Sequence, residues 1–192
     1  MTLTQLFGGL ATILAVISYL PYLRDIWRGK TKPHVFSWLV WSILTVIGML
    51  SQIVGEAGPA IWVSAITTLL CLTVLILAIK QGETKILPTD WLSLVGALVA
   101  LGLWFVVKVP VWSLSLALLT DLLGFFPTFV KTWYKPNQET LSTYALNGLK
   151  HTLTLFALDR VSFLTAGYPV YLIIVNIGFV IFLIWRRKTQ RV

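Results

Sequence analysis

Seven apolar runs, separated by short polar connectors, are the feature that most constrains what this sequence can fold into. They cover approximately residues 3–23, 35–55, 59–80, 90–108, 111–132, 141–158 and 168–185. A helix needs about 20 apolar residues to cross a bilayer. Only 11% of the residues are charged, against roughly 25% in soluble domains. We therefore predict an all-α integral membrane protein with seven transmembrane helices.

The basic residues predict how these helices are oriented. Twelve of the fifteen Lys and Arg residues fall on connectors that share one face, whereas only Lys108 and Arg160 fall on the opposite face. Because positive charge is retained on the cytoplasmic side, we expect the N-terminus outside and the C-terminus in the cytoplasm. The first run has no positive charge before it and no small-residue cleavage site after it, so we interpret it as a retained helix.

Two stretches of the chain share one sequence frame. In Ala11–Trp27 and in Ala117–Trp133 a proline precedes the final tryptophan by six residues, and the two frames are 106 residues apart. Both stretches run in the same direction through the membrane, and a single helix between the halves keeps them parallel. The pattern predicts a 3+1+3 parallel tandem repeat: a three-helix bundle over 1–82, a linker transmembrane helix over 83–109, and a second bundle with a basic tail over 110–192.

The outer connectors of the two halves are also alike. Each is predicted to be a short turn that holds an acidic residue and is followed by a proline. Glu56 and Pro59 have these places in the first half, and Asp159 and Pro169 in the second. We therefore expect each proline to mark the start of the third helix in its bundle.

The proline frames resemble a known family. Residues 18–32, SYLPYLRDIWRGKTK, are similar to the first helix and loop of the SWEET, SemiSWEET and PQ-loop transporters, as is Gly124–Trp133. The resemblance implies two three-helix bundles joined by a linker helix, with an asparagine in the third helix of each bundle that lines the solute site. Asn176 matches that position in the second half, and Ser64 occupies it in the first. Because the family moves sugars, amino acids, vitamins or cystine, it implies transport without naming the solute.

Ionisable and polar residues interrupt the apolar runs of the second half. Asp121 lies in the fifth run, whereas Asn147, Lys150 and His151 lie on one face of the sixth because they are spaced i, i+3, i+4. Counted at 1.5 Å per residue, Asp121, Lys150, His151 and Asn176 lie some 12–15 Å from the outer boundary. We expect them to meet near the midplane of the membrane.

Two interpretations of the charged residues remain open. Asp121 and Lys150 can form a structural ion pair that joins two helices, since unpaired charges are costly in a membrane. Alternatively, they line a solute pathway in which Asp121 or His151 takes up protons.

The remaining candidates are polar, aromatic or proline residues. Five are predicted to bind solute: Asn176, Asn147, Ser64, Trp41 and Thr67. Trp41 is included because it takes the place of Asn147 in the first half. Pro21 and Pro127 each remove a helical hydrogen bond, so they either act as hinges for inward opening or mark helix ends.

These features predict a transporter that moves a small polar solute, neutral or zwitterionic, by alternating access. Transport is either facilitative or proton-coupled, and the alternative is a receptor or accessory protein of the same architecture that does not transport. We expect no enzyme, cofactor, catalytic residue or metal site, because no nucleophile constellation, metal-ligand spacing or phosphate-binding glycine loop is present. The single cysteine, Cys71, excludes a disulfide framework.

The expected partners follow from the same reasoning. Besides the solute, and protons if transport is coupled, they are membrane lipids that contact the basic connectors. The net charge of +8 is spread over short connectors, so nucleic acid is not expected. The chain is a monomer or a homo-oligomer, and its compact length favours a bacterial inner membrane.

Overall fold

The computed structural model describes residues 2–29, 33, 35–82, 88–107, 109–134, 136–138 and 140–190. Nearly all of these residues are helical, and no strand occurs among them. The helices are α1 Leu3–Trp27, α2 Val35–Val54, α3 Ala60–Gln81, α4 Pro88–Gly102, α5 Pro110–Tyr134, α6 Leu141–Phe156 and α7 Phe163–Thr189. A π-helical segment, Leu103–Val107, continues α4, and a 3-10 turn, Pro136–Gln138, follows α5.

The predicted all-α fold is confirmed, and its apolar helices are typical of an integral membrane protein. Among the described helices, α1, α2, α3 and α7 are long and apolar enough to cross a bilayer, judged by length and composition. The apolar part of α5, Pro110–Phe125, is shorter, and α4 and α6 have 15 and 16 residues.

One predicted helix start is wrong. α7 begins at Phe163, about five residues before the predicted start, because Ser162 and Thr165 form a capping box. The Ser162 hydroxyl accepts from the Thr165 N–H at 3.3 Å, and the Thr165 hydroxyl accepts from the Ser162 N–H at 2.9 Å. Such reciprocal bonds satisfy N–H groups that a helix start otherwise leaves unpaired. Pro59 lies at the start of α3 as expected, whereas Pro169 lies inside α7.

Pro169 is tolerated inside α7 because another helix replaces the hydrogen bond that it removes. Proline has no N–H, so the carbonyl of Thr165, four residues earlier, lacks its helical donor. Gln52 on α2 donates from Nε2 to this carbonyl at 3.2 Å. Its Oε1 accepts from the Ser64 hydroxyl on α3. The Gln52 amide thereby joins α2, α3 and α7.

Two glycines allow α7 to approach Gln52 this closely. Gly48 lies one turn before Gln52 on the same face of α2, and Gly55 lies three residues after Gln52, directly beyond the end of α2. A Cβ atom at Gly48 would lie 2.6 Å from Cδ1 of Tyr168, and one at Gly55 would lie 2.5 Å from a methyl group of Thr165. Larger residues at either position would push α7 away from the amide.

The helix contacts have a two-fold pattern. α3 packs against α1 and α2, and α7 packs against α5 and α6. Between these groups α1 packs against α6, α2 against α5 and α7, and α3 against α6. Exchanging α1 with α5, α2 with α6 and α3 with α7 leaves this set of contacts unchanged. α4 packs against α2 and α5.

Two aromatic pairs are related by the same 106-residue spacing as the proline frames. The rings of Tyr19 and Trp38 have centroids 6.1 Å apart, with an interplanar angle of 63°. Phe125 and Tyr144, each 106 residues later, also lie 6.1 Å apart, at 70°. Both pairs join the first helix of a half to the second in the edge-on geometry that aromatic rings prefer.

The α2–α3 and α6–α7 loops, here called the paired loops, are bonded to each other. The Ala60 N–H donates to the Ala157 carbonyl at 3.2 Å, and the Asp159 N–H donates to the Ala57 carbonyl at 3.1 Å. Arg160 forms an exposed ion pair with Glu56. Ala57, Ala60 and Ala157 are fully buried, so the two halves are closely packed at this end of the protein.

Candidate functional site

A partly enclosed, narrow cavity lies between α2, α3, α6 and α7, below the paired loops. Its enclosed space is small, with room for about one water molecule. Seven of the nine lining residues carry a polar side-chain group, but most of the surface that they present to the cavity is apolar. The lining residues are Thr45, Gln52, Val63, Ser64, Thr67, His151, Thr154, Tyr168 and Pro169.

Both halves of the chain contribute to this cavity in related positions. Thr45 on α2 and His151 on α6 are 106 residues apart, and both line it. The cavity therefore lies where the two-fold pattern of helix contacts brings the halves together. Of the residues predicted to bind solute or protons, Ser64, Thr67 and His151 line it.

Lys150 lies beside the cavity and is almost fully buried, with 1% of its surface exposed. Its Nζ donates to the hydroxyl of Thr67 across the α3–α6 interface at 3.4 Å. The same atom lies 5.8 Å from the centroid of the Tyr19 ring on α1. Within the part of the chain that the structure describes, no carboxylate lies within salt-bridge distance of this ammonium.

Asp121 has a hydrogen-bond partner other than Lys150. Its carboxylate, 3% exposed, accepts a hydrogen bond of 2.8 Å from the hydroxyl of Tyr171 on α7. The ion pair between Asp121 and Lys150, one of the two interpretations above, is therefore not formed. The reason is that α7 packs against both α5 and α6, so Asp121 meets α7 while Lys150 faces α1 and α3.

The asparagines do not line the cavity. Asn176 is buried, and its amide donates to the Leu172 carbonyl of its own helix at 2.8 Å. It lies seven residues beyond Pro169, about 11 Å along the axis of α7 at 1.5 Å per residue. Asn147 accepts a long hydrogen bond of 3.4 Å from the Ser18 hydroxyl on α1. Of Asp121, Lys150, His151 and Asn176, which were predicted to meet near the midplane, only His151 lines the cavity.

Trp41 and one of the two candidate hinges, Pro21, do not line the cavity. Trp41 packs edge-on against Trp38, with ring centroids 5.1 Å apart. Pro21 lies inside α1, which continues to Trp27, so it does not end the helix. Position 127 falls within α5, but the side chain of Pro127 lies outside the described residues.

Several residues of this region were not among the predicted site residues. Gln52 had a detectable signal, because a glutamine between two glycines at helical spacing predicts close helix packing with a polar contact. Tyr168 and Tyr171 had no such signal in the sequence, since tyrosines near a helix start are also typical of the aromatic belt at a membrane interface. Their roles depend on which face of α7 meets α2 and α5.

Comparisons with protein-family models, with curated proteins and with solved structures give no match to this chain. Hydroxyl, amide and imidazole groups line the cavity, and a buried ammonium lies beside it. Among the described residues, no group of three His, Cys, Asp or Glu side chains could hold a metal ion.

Proposed function

We propose that this chain is a membrane transporter that moves a small polar solute by alternating access between two three-helix bundles. The observation that carries the proposal is the cavity between the halves, because residues at equivalent positions of both halves, Thr45 and His151, line it. A site at the interface of two repeats is typical of such transporters. Ser64 and Thr67 would contact the solute, and His151 is the candidate for proton uptake.

The proposal includes the full 3+1+3 arrangement of seven transmembrane helices and the resemblance to the SWEET and PQ-loop transporters. It is supported by the two-fold pattern of helix contacts and by the two aromatic pairs at the 106-residue spacing. With the N-terminus outside, as the basic connectors favour, the paired loops lie on the extracellular side. Their mutual hydrogen bonds would close that side and must break for the cavity to open outwards.

Uptake into proteoliposomes tests the proposal. Purified protein is reconstituted and small polar solutes are offered with and without a pH gradient, which separates facilitative from proton-coupled transport. Thr67→Val should lower uptake by about fivefold, since one hydrogen bond to the solute is worth roughly 1 kcal/mol. The matched control is Thr73→Val on the same helix, because Thr73 is exposed and bonds only to its own backbone.

Two outcomes would contradict the proposal. If Thr67→Val and Thr73→Val transport equally well, the cavity is not the solute site. If a solute binds saturably but shows no counterflow in vesicles, the chain is a receptor or accessory protein of this architecture.

A further inference from the structure

Lys150 is a buried cation without a local counter-ion. An ammonium offers three donors, but Nζ has a hydrogen bond only to the Thr67 hydroxyl, at 3.4 Å, among the described residues. It also lies 5.8 Å from the centroid of the Tyr19 ring and near the Cys71 thiol, which is hydrogen-bonded to the Tyr19 hydroxyl. The only buried carboxylate among the described residues, Asp121, is held by Tyr171. A buried charge with so few partners is costly unless something else compensates it.

The surroundings of Lys150 show which kind of partner is missing. Thr67, which contacts the ammonium, also lines the cavity, as does His151, the next residue along α6. Both are groups that can donate hydrogen bonds, and neither carries a negative charge. A site with an ammonium beside two neutral donors is complementary to a small anion with two oxygens.

We propose that the solute carries a carboxylate, and that Lys150 binds it with Thr67 and His151. As a statement about the transported molecule this inference rests on the proposed function, but the binding itself can be measured without transport. The cavity has room for about one water molecule in this structure, so its walls must separate to admit even a small carboxylate, either a simple monocarboxylate or an amino acid. The solute thereby supplies the counter-ion that the protein lacks at this position.

The test measures binding to the full-length purified protein in detergent, by calorimetry and by the rise in melting temperature that a bound ligand causes. The probes are propionate and alanine as carboxylates, propionamide as the neutral isostere, and sodium chloride at equal ionic strength. The wild type should bind propionate or alanine, but neither propionamide nor chloride. A preference between propionate and alanine identifies the class of carboxylate.

Variants locate the site. Lys150→Met should weaken carboxylate binding about tenfold or more, as expected for the loss of a charge-assisted hydrogen bond. Lys150→Arg should retain binding because it keeps the charge. Lys188→Met is the matched control, since it removes an exposed lysine of the basic tail. Its binding should equal that of the wild type.

Two results would overturn the inference. The first, which needs only the wild type, is that propionamide or chloride binds with the same affinity as propionate. The second is that Lys150→Met binds carboxylates with the affinity of the wild type. Its failure is distinguishable from failure of the transport proposal. If the protein takes up a neutral solute and Lys150→Met does not change that uptake, the carboxylate proposal is refuted, whereas the transporter proposal stands. If carboxylate binding depends on Lys150 but no counterflow is seen, the transport proposal is refuted, whereas the proposed carboxylate site stands.

Discussion

At the scale of single residues, Gln52 has the most consequential contacts. Its amide satisfies the Thr165 carbonyl that Pro169 leaves without a donor, and it also accepts from the hydroxyl of Ser64. Buried polar groups that lose their partners cost far more than the bonds contribute when formed. The amide therefore both stabilises α7 and fixes one wall of the cavity.

Gln52→Leu should lower the free energy of unfolding by about 1–3 kcal/mol, because it leaves the Thr165 carbonyl unpaired in an apolar setting. Adding Pro169→Ala should recover part of the loss, since alanine restores the N–H that this carbonyl normally accepts from. The measurement is a double-mutant cycle of thermal or denaturant unfolding in detergent. Additive effects of the two substitutions would show that Gln52 does not compensate for Pro169.

Tyr171→Phe should also destabilise the protein by about 1–3 kcal/mol, because it removes the hydroxyl that donates to the buried carboxylate of Asp121. Tyr134→Phe is the matched control, since Tyr134 is exposed at the end of α5. Combining Tyr171→Phe with Asp121→Asn should cost less than the sum of the single changes. Equal melting temperatures for the two Tyr→Phe variants would contradict this role for Tyr171.

At the scale of helices, glycines decide how closely α2 and α7 approach. Gly48→Ala would place a methyl group 2.6 Å from the Tyr168 ring, and overpacking of this kind costs about 1–3 kcal/mol. Gly178→Ala is the control, because a Cβ there meets no atom within 4 Å. Alanine favours a helix over glycine, so Gly178→Ala should be neutral or stabilising. Unfolding in detergent measures both, and equal stability would mean that α7 does not pack tightly on Gly48.

The helices were largely predictable from the sequence, because the lengths of apolar runs and the positions of charges determine where a membrane helix can lie. α7 was the exception, since Pro169 is typical of a helix start and its compensation by Gln52 comes from another helix. The family resemblance suggested Ser64, and spacing along α6 placed His151 on a polar face; both line the cavity, as does Thr67.

The rest of the site depends on which helices are neighbours. Asp121 and Lys150 were candidates for an ion pair because they are the two charges in adjacent runs. Helix packing instead sets α7 against both of their helices and gives Asp121 a tyrosine partner. No spacing rule within one helix contains that information.

At the scale of the whole molecule, the two-fold pattern of helix contacts and the basic connectors together predict the topology. Cysteines are introduced as Thr4→Cys and Thr189→Cys, each in a Cys71→Ala background. A maleimide that cannot cross membranes should label the first in intact right-side-out vesicles, and the second only after permeabilisation. Labelling of both from one side would contradict termini on opposite faces of the membrane.

The position of Pro169 also has a consequence for the order in which the protein is assembled. The donor that compensates for this proline belongs to α2, which leaves the ribosome long before α7 does. The second half therefore arrives with an unsatisfied carbonyl, and the amide that accommodates it is already in the membrane. The two halves have similar helix contacts, yet the last helix of the second half depends on a side chain of the first half to complete its hydrogen bonds.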